Sequence, residues 1–60
     1  MSIKVIDNYN GEVIFLGEVS EFLRDNDYDE ELLACVMTLD KKDKVVFTTF
    51  LGQSYDIYKL

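Results

Sequence analysis

No disulfide or zinc staple is open to this chain, and that limits its folds more than any other feature. Cys35 is the only cysteine and there is no histidine, so neither an intrachain disulfide nor a Cys/His zinc site can form. A single domain of 60 residues, 1–60, buries only about 60% of the surface its unfolded chain exposes. Stability must then come from good packing or from self-association. The apolar fraction of 48% supports an ordered core and argues against disorder.

The apolar residues fall into short blocks whose spacing indicates their structure. Residues 2–7 (SIKVID) and 12–17 (EVIFLG) are rich in Ile, Val and Phe, with Asn8-Tyr9-Asn10-Gly11 between them. Asn-Gly between two β-branched runs predicts a hairpin, because both residues tolerate positive φ. A two-residue turn at Asn10-Gly11 and a four-residue loop from Asn8 to Gly11 are both open. Either register places Ile3, Val5, Ile14 and Leu16 on one face, and Lys4, Ile6, Val13 and Phe15 on the other. The first set is wholly apolar and is the expected core face.

Gly17 ends the second strand. Ser20 then stands where an N-cap would, ahead of Glu21-Phe22-Leu23. Val19, Phe22 and Leu23 give a short i, i+3, i+4 stripe, so a two-turn helix should stop near Asn26. A second helix should start at Asp27 or Asp29, and Asp27 with Glu30 has capping-box spacing. Leu32, Cys35, Val36 and Leu39 recur at i, i+3, i+4, i+7. The rival is a strand over Leu33–Leu39, but Leu32 to Met37 is continuously apolar and does not alternate, so the helix is preferred.

Asp40-Lys41-Lys42-Asp43 is a polar connection. Val45 to Phe50 and Tyr55 to Leu60 read as strands, separated by the turn Leu51-Gly52-Gln53-Ser54. The expected fold class is α+β. A four-stranded antiparallel sheet, in the order β-β-α-α-β-β, would carry two short helices on one face.

Charge is gathered in one place. Glu18 to Glu31 holds seven of the twelve acidic residues (Glu18, Glu21, Asp25, Asp27, Asp29, Glu30 and Glu31) and one base, Arg24. That segment accounts for the whole net charge of −6, and the remainder is balanced. Such a surface repels nucleic acid and anionic membranes and favours basic partners. Glu18, Glu21 and Asp25 fall at i, i+3, i+7 and can share one side of the first helix. With about 1.5 Å rise per residue, that row is sparser than the charges of duplex DNA, about one per 1.7 Å. Adding Asp27, Asp29, Glu30 and Glu31 extends it, so DNA mimicry is geometrically open but not specified. The ordinary alternative is a solvated face that keeps a small protein soluble.

Other chemistries find little support. Asp25, Asp27 and Asp29 have the rhythm of a calcium loop, but Glu30 and Val36 stand where the EF-hand needs Gly and a bidentate Glu. Without histidine the commonest general base is missing. Cys35 lies in an apolar stripe, which suits packing better than nucleophilic attack. Gly11, Gly17 and Gly52 are dispersed at turns and form no phosphate loop. The expectation is therefore no enzyme, no cofactor and no metal. The opening MSIKVID lacks the pattern of a signal peptide, no window approaches a membrane span, and the lone cysteine suits a reducing compartment, so a cytoplasmic protein is expected.

The opening half of the chain resembles small proteins of phages and mobile elements in low-GC Gram-positive bacteria. The shared features are a D-N-x-x-G-E turn (Asp7, Asn8, Gly11, Glu12) and an x-E-F-L-x-x-N helix (Glu21, Phe22, Leu23, Asn26), followed by an acidic start to a second helix. Such proteins are often accessory or host-directed, including inhibitors of nucleic-acid-processing defence enzymes, and the resemblance implies a role of that kind.

The leading expectation is a non-enzymatic module that binds a basic protein surface through the seven acids, as an inhibitor or modulator of a host protein. The alternative is a self-associating domain whose open sheet face pairs with a copy of itself. Ile6, Val13, Phe15, Tyr55 and Tyr58 are the candidate dimer face, unless the sheet curls to bury both sides.

Overall fold

The computed structural model describes all 60 residues, Met1–Leu60. The elements are β1 Ser2–Asp7, β2 Val13–Glu18, α1 Val19–Asp25, α2 Glu30–Met37, a 3-10 turn Thr38–Asp40, β3 Lys44–Thr48 and β4 Ser54–Lys59. The strands form one antiparallel sheet in the order β2-β1-β4-β3. The two helices cover one face of it, so the α+β architecture matches the expectation. The central pair, β1 and β4, comes from opposite ends of the chain. The sheet therefore closes only when the two hairpins meet.

Seven side chains make the core: Ile3, Val5 and Ile57 from the sheet, Phe22 from α1, Leu32 and Val36 from α2, and Leu39 from the 3-10 turn. The helical reading of residues 32–39 holds. Leu32, Val36 and Leu39 are buried at i, i+4, i+7, while Cys35 is half-buried and unpaired.

The hairpin register differs from the expected one. Of the two turns considered, the four-residue loop Asn8–Gly11 is present. The Asp7 N–H donates to the Glu12 carbonyl at 2.8 Å, and the Gly11 N–H donates to the Asp7 carbonyl at 2.8 Å. Gly11 takes φ +76, which is why Asn-Gly suits this loop. Pairing then slips: Val5 faces Phe15, but Ile6 faces Val13, leaving Ile14 as an extra residue in a β-bulge. A bulge reverses the alternation beyond it. Phe15 therefore joins Ile3 and Val5 on the helix-covered face and packs against the core. Leu16 lies across from Lys4 on the open face and is 66% exposed. Both lie on the face opposite to the expected one.

Two further boundaries depart from expectation for local reasons, and of the two starts open to the second helix the structure takes Asp29. α1 starts at Val19 with Glu18 in the N-cap position, where no side chain caps it, so Ser20 is a first-turn residue instead of the cap. The cap of α2 is Asp29, whose carboxylate accepts from the Leu32 N–H at 3.0 Å. Asp27 caps nothing. β3 ends at Thr48, so Phe50 belongs to the turn that follows.

Asp27 instead ends α1. Its N–H donates to the Arg24 carbonyl at 3.1 Å, and the Tyr28 N–H donates to the Leu23 carbonyl at 2.8 Å. This is the Schellman pattern, in which the residue after the C-cap is left-handed and usually glycine. Here Asp27 takes φ 55, followed by Tyr28 at φ 52. A left-handed L-residue costs about 1 kcal/mol or more. Asp27→Gly should therefore raise stability by about 0.5–1 kcal/mol in urea denaturation. A loss of stability would show that the Asp27 side chain has a structural role beyond this conformation.

Candidate functional site

All seven carboxylates of the acidic segment are exposed. Glu18 and Glu21 stand at the start of α1, and Asp25, Asp27, Asp29, Glu30 and Glu31 crowd the corner joining α1 to α2. Glu18, Glu21, Glu30 and Glu31 lie at helix starts, which favour negative charge, and Asp29 caps α2, whereas Asp25 and Asp27 stand at the C-terminal end of α1, where the helix dipole gives them no support.

The molecule has three ion pairs: the Met1 ammonium with Glu18, Arg24 with Asp25, and Lys44 with Asp56. Glu21, Asp27, Asp29, Glu30 and Glu31 are left without a cationic partner, and neither Lys41 nor Lys42 reaches them. The ammonium of Met1, at 3.0 Å, and then the Ser2 hydroxyl, at 3.2 Å, donate to Glu18 and hold its carboxyl below the usual carboxylate range. A depressed pKa of this kind stabilises the fold at neutral pH. The contribution is lost as pH falls through the folded-state value. No three acidic or cysteine side chains converge closely enough to hold a metal ion.

The open face of the sheet shows two cross-strand rows: Leu16, Lys4, Tyr58 and Lys44, and Val13, Ile6, Asp56 and Val46. Lys4 and Lys44 bracket Tyr58, each ammonium 5.5 Å from the ring centroid. Asp56 accepts from the Asn8 side-chain amide at 3.1 Å and pairs with Lys44 at 3.8 Å. The middle of this face is thus polar, with its exposed apolar residues split between the two edges. Of the candidate dimer residues, Ile6, Val13 and Tyr58 lie on this face. Phe15 and Tyr55 do not: both pack against the core on the helix side.

Sequence reasoning passed over the tip of the second hairpin. The Gly52 N–H donates to the Thr49 carbonyl at 2.9 Å, and the Thr49 N–H donates to the Gln53 carbonyl at 2.7 Å. Phe50 and Leu51 therefore occupy the two central turn positions, with Gly52 following at φ +88. Turn centres favour Pro, Asn, Asp, Ser and Gly, yet here a Phe-Leu pair is held in water. Their relative exposures are 101% and 83%. The clue in the sequence was Gly52 itself, whose turn position displaces Phe50 from the strand.

No helix is long and apolar enough to cross a membrane. Comparison of the chain with protein-family models, with curated proteins and with solved structures finds no match.

Proposed function

We propose that this domain is a non-enzymatic interaction module of the cytoplasm whose acidic α1–α2 corner binds a basic surface on another protein. One observation carries the reading. Five carboxylates lie exposed in a single short segment without a cation of their own, although the chain has lysines to spare. Charges so placed steer a partner electrostatically, and apolar anchors nearby supply affinity. The likeness of the opening half to phage and mobile-element proteins adds support for a host-directed modulator.

The test is affinity capture from a cell lysate at about 0.05 M and about 0.5 M salt, where exposed charges are weakly and strongly screened. The wild-type chain is compared with a Glu21→Lys/Asp25→Lys/Glu30→Lys variant whose folding is checked by circular dichroism. A basic protein should be retained at low salt, released at high salt and not captured by the variant. A partner held equally well under all of these conditions would overturn the proposal.

A second reading, self-association through the open sheet face, is favoured by the exposure of Leu16 and Val46. The Lys4, Lys44 and Asp56 side chains across the middle of that face count against it.

A further inference from the structure

We infer that the groove between the α1–α2 corner and the β3–β4 turn docks a partner segment carrying both apolar side chains and lysine or arginine. Two adjoining cavities of about 390 and 250 Å³ share Asn26, Leu32, Phe47 and Thr49, and so form one continuous groove. Leu32 and Phe47 provide an apolar floor. Phe50 and Leu51 form the outer wall, and Asp29 and Glu31 stand on the opposite rim.

Three features select the occupant. The first is the turn. Phe50 and Leu51 contribute nothing to the core, yet they are held outward by a tight hydrogen-bonded loop. The Thr49 hydroxyl accepts from the Gln53 N–H at 3.1 Å, and the Gln53 side chain accepts from the Tyr55 hydroxyl at 3.0 Å. An exposed aromatic anchor on a hydrogen-bonded turn loses less backbone entropy when it is covered than one on an open loop. The second is charge. Glu31 and Asp29 on the rim have no cationic partner, and Asp27 and Glu30 stand close by in the chain. The third is the floor, which is apolar and gives a leucine or phenylalanine of the partner somewhere to go. An acidic or purely apolar segment satisfies only part of this set. A basic amphipathic segment satisfies all of it.

This inference rests on the proposed acidic interaction surface and specifies how that surface gains affinity. The test uses three synthetic peptides of equal length, alternating leucine with lysine, serine with lysine, or leucine with glutamate. Binding to the full chain at low salt is followed by amide NMR and by sedimentation. The leucine–lysine peptide should bind most tightly and shift the Asn26, Leu32, Thr49 and Leu51 amides. Phe50→Ser, at a fully exposed position, should weaken that binding by roughly tenfold or more with the fold intact. If the serine–lysine peptide binds as tightly, and Phe50→Ser changes nothing, the groove is refuted while the acidic surface stands. If neither basic peptide binds, both fall. Equal binding of the leucine–glutamate peptide refutes the charge selection. Conversion of a dimer to a monomer by Phe50→Ser would assign the groove to a second copy and overturn the inference.

Discussion

Ile57→Ala is expected to remove a large part of the domain's stability, enough at the upper end of the range to unfold it at room temperature. Ile57 has no exposed surface. It sits on β4 between Val5 and Val45, in the row where the two hairpins meet. Truncating a buried isoleucine costs about 2–5 kcal/mol, because the transfer free energy is lost and a cavity is left behind. A domain this small, with no disulfide, has only about 3–5 kcal/mol in total. The truncation therefore removes a large part or all of the stability. At the upper end of the range, circular dichroism should show loss of the cooperative thermal transition. Ile57→Val, at about 0.5–1.5 kcal/mol, should keep the transition and lower its midpoint. An Ile57→Ala protein unfolding within about 1 kcal/mol of the parent would mean that this row is not the packed centre.

The second large effect separates two neighbouring residues. Phe15→Glu should destabilise the domain by about 2–4 kcal/mol, whereas Leu16→Glu should change stability by less than about 0.5 kcal/mol. The Phe15 ring lies 5.0 Å from that of Phe22, tilted at 49°, and also rests over Gly17, where an added Cβ would come within 3.4 Å of it. A carboxylate at position 15 would be pushed against this apolar contact. Leu16 projects from the edge strand on the other side of the sheet. Urea denaturation of the two variants reads the bulge directly, and the opposite ranking would restore the regular register. Leu16→Glu also tests self-association, since its solution mass should equal the parent's if the open face is not an interface.

Much of the architecture was legible beforehand because it depends on nearest neighbours along the chain. Asn10-Gly11 marked the first hairpin, and the apolar spacing from Leu32 to Leu39 identified a helix. The polar stretch 40–43 separated it from the β-branched run that follows. The misplacements all involve a choice between options that are locally equivalent. Ser20 is a better intrinsic cap than Glu18, but β2 runs directly into α1, so the helix begins before Ser20. Phe50 suits a strand as well as Tyr55 does. Only the left-handed Gly52 and the pairing of Thr48 with Ser54 put Phe50 at the tip of a turn.

The amino-acid order by itself determined the sequence of elements, the absence of a disulfide or Cys/His zinc staple and the confinement of the net charge to residues 18–31. Those are local properties: hydrophobic period, turn chemistry and composition. Tertiary structure alone decided which face each β2 residue takes, because a one-residue bulge reverses the alternation and only packing against Phe22 and Val5 selects it. It also decided that an acidic corner and a Phe-Leu turn tip face each other across one groove. These segments lie about twenty residues apart, and their meeting depends on how β4 pairs with β1.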